Sequence, residues 1–114
     1  MSKIAILGAA ESGVGAAVLA LKKGYDVFVS DMGMIKEHYK NMLNEHGIEW
    51  EEGGHTASKI LDAEEIIKSP GIPDNAPMVA EAIDRGIHII NEIEFAARYT
   101  DAKMICITGS NGKT

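Results

Sequence analysis

Three stretches of this chain combine glycine with polar neighbours at spacings that suit phosphate and nucleotide chemistry. The first is Gly8-Ala9-Ala10-Glu11-Ser12-Gly13-Val14-Gly15. Glycines between a strand and a helix let backbone N–H groups and the helix N-terminus face an anion at close range. The dinucleotide pattern G-x-G-x-x-G would place glycine where Ala10 stands, so the loop indicates a nucleotide-like ligand without saying which. Asp31 follows at the end of the next apolar run, where nicotinamide-binding folds carry a ribose-binding acid. The competing reading of the loop is a tight turn that binds nothing.

The second stretch is Ser69-Pro70-Gly71-Ile72. Proline holds the residue before it extended, and the Pro-Gly order suits a type II turn. Gly71 also lacks the side chain that would keep a flat ring off the backbone. Alone, such a tetrapeptide is more often only a turn. At the end of a strand opposite the first glycine loop it becomes a candidate ligand wall.

The third stretch is Thr108-Gly109-Ser110-Asn111-Gly112-Lys113-Thr114. An apolar run entering glycines and then Lys-Thr is phosphate-loop chemistry: amides cradle phosphates, Lys113 adds charge, and the Thr114 hydroxyl can reach Mg²⁺. Ile107 occupies the place of the first glycine of the general G-x-x-x-x-G-K-[ST] pattern. A working phosphate loop needs a helix behind it, so the chain is expected to be cut inside a motif, as an excised domain would be.

No catalytic acid, base or nucleophile can be assigned. His38, His46, His55 and His88 fall on separate elements without metal-ligand spacing and read as structural or solvent-facing. Cys106 lies in the apolar run MICIT and reads as a small buried hydrophobe. Glu51, Glu52, Glu64, Glu65, Glu92 and Glu94 read mostly as a solvated face.

The elements that would position these stretches alternate between strand and helix. Strand patterns fall at residues 3–7, 26–30, 48–50, 64–68, 87–90 and 104–108. Helical patterns fall at 13–23, 34–46, 56–63, 77–85 and 91–99, with Thr56 as a cap, Pro77 in a first turn and Asn91 with Glu94 as a capping pair. Such alternation implies an α/β, Rossmann-like three-layer domain: a mostly parallel sheet of about five strands with helices on both faces. Ligands bind such a sheet at the carboxyl ends of its strands, near the switch in strand order. The motifs after strands one, two, four and six all sit there.

Composition sets the outer bounds. With 114 residues, 46% hydrophobic and 25% charged, the chain is one ordinary globular domain. We divide it into a ligand-binding domain, 1–99, and the start of a second domain, 100–114. Its net charge of −6 and lack of a basic stripe oppose nucleic-acid binding. No stretch approaches the ~18 apolar residues of a membrane span, no signal peptide is expected, and a lone cysteine needs no oxidising compartment. The chain is therefore expected to be cytoplasmic and monomeric.

Taken in order, these motifs resemble the start of the Mur ligase family. The tail ITGSNGKT is similar to that family's short ATP loop, usually G-T-N-G-K-[ST], with Ser110 for the common Thr. ILGAAESG, the Asp31 strand end, SPGI and NEIEF (residues 91–95) resemble the family member that joins D-glutamate to UDP-N-acetylmuramoyl-L-alanine. Gly33 stands where the family often carries a basic residue.

The resemblance implies a three-domain ligase of peptidoglycan synthesis. Its first domain would bind the UDP part of the substrate, its second ATP and Mg²⁺, and its third the amino acid. It places Glu11, Ser12 and Gly13 at the diphosphate and nucleotide. Asp31 and Met32 would border the uracil, and Ser69, Pro70 and Gly71 would form the wall against the ring. It assigns Gly109, Ser110, Asn111, Gly112, Lys113 and Thr114 to ATP, with Thr114 near the magnesium. Reaction would pass through an acyl phosphate, and residues 1–114 alone would bind without catalysing. Two other readings are a nicotinamide-binding oxidoreductase domain and a non-catalytic nucleotide sensor.

Overall fold

The computed structural model of the chain describes residues 2–73 and 75–99. The expected sixth strand, Cys106 and the whole phosphate-loop tail lie outside the described residues.

Within them, ten elements alternate along the chain. They are β1 (Lys3–Leu7), α1 (Glu11–Lys22), β2 (Asp26–Ser30), α2 (Glu37–Glu45) and β3 (Glu49–Glu51). There follow α3 (Ala57–Ile60), β4 (Glu65–Lys68), α4 (Pro77–Asp84), β5 (His88–Asn91) and α5 (Glu92–Arg98). The five strands form one sheet in the order β3-β2-β1-β4-β5, and every pairing is parallel. β1 is therefore central, and the chain crosses from one side of it to the other between β3 and β4.

Alternation along the central strands feeds two cores. Ile4 and Ile6 of β1, with Val27 and Val29 of β2, face α1, α2 and α5. Ala5, Leu7 and Phe28 face the opposite layer, where Ile60 of α3 and Val79 and Ala82 of α4 complete the packing. Ile66 and Ile67 of β4 divide between the two layers in the same way. A strand covered on both sides must be apolar throughout, which explains the unbroken runs. Ala16, Ala17 and Ala20 line the buried side of α1 and let it lie close on the sheet.

Local signals account for the element ends. Pro77 opens α4 in its first turn, where a missing N–H costs nothing. Asn91 and Glu94 close a capping box at α5: Glu94 N–H donates to Asn91 Oδ1 at 2.7 Å and Asn91 N–H to Glu94 Oε1 at 3.1 Å. Thr56 stands before α3, but its side chain does not cap that helix; the hydroxyl donates to Glu51 Oε1 instead. Hence α3 is a single turn, shorter than the expected 56–63. The C-terminus of α5 is latched from two directions. Arg98 donates to both oxygens of Glu65 on β4, at 2.9 and 2.8 Å, and the Tyr25 and Tyr99 hydroxyls meet at 2.8 Å.

A candidate nucleotide cleft at the carboxyl ends of β1, β2 and β4

The turn from β1 into α1 is built on two glycines. Gly8 has φ 102°, a left-handed conformation that costs other residues strain. Gly13, in the first turn of α1, lies against it so closely that a Cβ there would sit 2.0 Å from the Gly8 carbonyl oxygen. This contact lets the helix start directly behind the strand. Ala10 occupies the N-cap and offers no side-chain acceptor, so α1 opens without a side-chain cap.

Asp31 clamps this turn from the neighbouring strand. Its Oδ2 accepts from Ala9 N–H at 2.8 Å, and its Oδ1 accepts from Gly33 N–H at 2.9 Å. One carboxylate thus fixes the loop after β1 and the loop after β2. Each oxygen keeps a free lone pair.

The loop after β4 is a turn closed by Ile72 N–H donating to Ser69 O at 3.0 Å. Gly71 does not take the positive φ of a type II turn, which corrects the sequence expectation. Lys68 Nζ donates to Ile72 O at 2.8 Å and braces the turn from the strand end. A Cβ at Gly71 would meet nothing within 4 Å, so neither conformation nor packing requires glycine there. Ser69 tucks under the first loop, where a Cβ on Gly8 would meet its Cβ at 3.1 Å.

These three loops enclose a cleft of about 510 Å³. Gly8, Ala9 and Ala10 form one wall, Asp31 and Met32 a second, and Ser69 with Ile72 and Met78 a third. This is the switch point of the strand order, where open parallel sheets hold their ligands. Glu11, Ser12, Gly13, Pro70 and Gly71 do not line it directly. Gly13 supports its floor, and Pro70 and Gly71 stand exposed at its rim. Ser12 instead borders an apolar groove between α1 and α5, beside Glu92 and Ile93.

Four acids, Glu51, Glu52, Glu92 and the Arg98-paired Glu65, depart from a solvated face. Glu92 is only 5% exposed, and neither carboxylate oxygen has a hydrogen-bond partner among the described residues. Burial pushes its carboxyl pKa up, offset in part by the nearby Ser12 hydroxyl. As the residue after β5, it is turned inward where α5 packs on α1. Glu51 is half-buried; burial opposes its ionisation, but hydrogen bonds from Thr56 and Ser30 outweigh this and hold it below the usual range. Glu52 accepts from Ile35 N–H at 2.9 Å and pairs with Lys40 at 3.0 Å.

His55 is the cleft-lining residue that sequence spacing missed. It lines the cleft beside Asp31, preceded by Gly54. Its only advance signal was the doublet Gly53-Gly54 after β3, both at positive φ. Among the described residues no group of three His, Cys, Asp or Glu could hold a metal ion. The expected ATP and magnesium residues, 109–114, lie outside the described residues.

Residues 3–78 match the family described as the MurD N-terminal domain. The chain belongs to the MurD N-terminal domain family. The matched span holds the first glycine loop, Asp31, His55 and the SPGI turn. Over all 114 residues the chain is 64% identical to the UDP-N-acetylmuramoylalanine--D-glutamate ligase of Bacteroides fragilis, of which it covers 26%. It thus spans about a quarter of the length of the curated relatives it matches. Among solved structures, the UDP-N-acetylmuramate-alanine ligase MurC of Thermotoga maritima superposes with a TM-score of 0.71 at 25% identity. That match covers 86% of this chain and 22% of the other. A murein peptide ligase from Psychrobacter arcticus shares the fold, with a TM-score of 0.78 at 20% identity over 88% of this chain and 21% of its own.

Proposed function

We propose that this chain is the substrate-binding domain of an ATP-dependent ligase that joins D-glutamate to UDP-N-acetylmuramoyl-L-alanine in peptidoglycan synthesis. The observation that carries this reading is the convergence of the Gly8, Asp31 and Ser69 loops on one cleft at the switch point. The open N-terminus of α1 supplies N–H groups and the positive end of a helix dipole for a diphosphate. Asp31 and Met32 then border the base, and Gly71 leaves the rim open for a flat ring. Glu11, Ser12, Gly13, Ser69 and Pro70 complete the site. The relatives' printed names, at 63–64% identity, support the same ligand and the same amino acid.

Residues 1–99 then form the UDP-substrate domain, and residues 100–114 begin an ATP-binding domain. ATP with Mg²⁺ would be held by Gly109, Ser110, Asn111, Gly112, Lys113 and Thr114, with Thr114 at the metal. Bound there, it would supply the phosphoryl group that activates the substrate carboxylate. The 114 residues alone would bind the nucleotide and leave catalysis to the remainder of the enzyme, in the cytoplasm and as a monomer.

An NMR titration of the chain with UDP, run beside NAD(H), tests the proposal. Amide shifts from UDP confined to the loops of Gly8, Asp31 and Gly71 support it. Shifts in those loops from NAD(H) alone would replace it with the oxidoreductase reading.

A further inference from the structure

The cleft has a second polar wall, and counting its protons assigns it a task. Ser30 is fully buried at the end of β2. Its hydroxyl lies 2.7 Å from Glu51 Oε2, 2.6 Å from His55 Nδ1 and 3.3 Å from Gly54 O. Glu51 Oε2 also accepts from Thr56 N–H at 2.6 Å. An ionised carboxylate only accepts, so the single Ser30 proton goes to Glu51. The short contact to His55 then needs a donor on the other side, and Nδ1 must carry its proton. A neutral imidazole protonated on Nδ1 bears its lone pair on Nε2. Among the described residues no protein group takes up Nε2, and the ring lines the cleft.

Burial, not charge, favours the neutral form of the ring. Burial lowers the His55 pKa, and the carboxylates of Glu51 and Asp31, which face it from β3 and from the loop after β2, only partly restore it. This end of the cleft therefore presents acceptors, Asp31 and Nε2, and no Lys or Arg lines it. Two acceptors without a cation repel phosphate and suit a group with N–H or O–H donors. Resting on the reading of the cleft as a UDP site, we propose that His55 Nε2 accepts a hydrogen bond from the nucleoside, an imide N–H or a ribose hydroxyl. His55 is then a specificity-determining residue, and Ser30 and Glu51 are its positioning residues.

The test uses the 114-residue chain with ¹⁵N-labelled histidine. Before ligand is added, the His55 ring should show the Nδ1–H tautomer; a dominant Nε2–H tautomer overturns the inference whatever UDP does. Ser30→Ala should lose that preference. On adding UDP, the Nε2 resonance should move. His55→Ala should bind UDP about fivefold more weakly, the worth of one neutral hydrogen bond, and His55→Gln should regain part of it. UDP methylated at the imide nitrogen and 2′,3′-dideoxy-UDP each remove one donor class. The unaltered chain should lose about fivefold against one of them, and His55→Ala should lose nothing further. UDP that shifts the cleft amides yet binds His55→Ala and the unaltered chain equally overturns the role of His55 and leaves the nucleotide reading standing. UDP that moves neither the Gly8 nor the Asp31 amide overturns both.

Discussion

Gly13 sits against Gly8 so tightly that an added Cβ would lie 2.0 Å from the Gly8 carbonyl oxygen. The neighbour is backbone at the end of the central strand, so it cannot swing aside as a side chain would. Gly13→Ala is expected to cost about 3 kcal/mol, the upper range for overpacking a rigid site. Urea unfolding of the variant measures this; a loss under about 1 kcal/mol would show that α1 can slide away from the strand.

Gly71 is the contrasting glycine. Its backbone needs no left-handed conformation and its surroundings are open. Gly71→Ala should leave stability within about 0.5 kcal/mol, as for an ordinary surface change. The same variant should weaken UDP binding by calorimetry. Unchanged affinity would remove the SPGI rim from the site.

Asp31 joins two loops through two charge-assisted hydrogen bonds. Replacing it with Ala leaves both N–H groups without a charged partner and is expected to cost about 2 kcal/mol. Hydrogen exchange should quicken at Ala9 and Gly33 together. Quickening at only one of them would mean that the loops are held independently.

Glu92 gives a pH-dependent prediction whose sign is set by its raised pKa. The folded state holds this proton to higher pH than the unfolded chain does, so stability drains as pH rises from the ordinary carboxylate range through the folded value. Glu92→Gln cannot ionise and escapes that loss. It should match the unaltered chain in acid and exceed it by about 1 kcal/mol at neutral pH, read from thermal unfolding across pH. A variant less stable at neutral pH would mean that the carboxylate is used in its charged form.

Glu65 has the opposite sign. The Arg98 guanidinium beside it holds its carboxyl below the usual range, although burial opposes this. Its contribution is complete above the unfolded carboxylate range and is lost as pH falls through the lowered folded value. Arg98→Ala should cost about 1 kcal/mol at neutral pH, since the pair is partly solvated, and progressively less in acid. A pH-independent difference would assign the loss to the Arg98 packing over Phe95 instead.

The fold was legible because a doubly covered parallel sheet writes itself as apolar runs separated by capped helices. KIAIL and DVFVS could hardly have been anything else, and Pro77 and Asn91 marked their helices through chemistry that acts within one turn. The glycine loop, Asp31 and the SPGI turn were legible as neighbours at one end of the sheet for the same reason: each follows a strand end. What escaped depended on distant partners. Thr56 looked like a cap until Glu51 competed for its hydroxyl, and the SPGI turn, braced by Lys68, took a form that its Pro-Gly order does not announce. Glu92 looked solvated because nothing local announces that α1 packs over it. His55 escaped because its meaning comes from Ser30, across the β2–β3 pairing.

The central place of β1 has a consequence for how the chain is made. Strand β2 can pair with it, and β3 with β2, soon after they emerge, but the other edge of β1 waits for β4, and α5 packs over it later still. Until residues 65–68 leave the ribosome, β1 presents an open edge and a half-covered face. Vectorial synthesis thus exposes this apolar strand well before it protects it, a natural point for a holding chaperone to act.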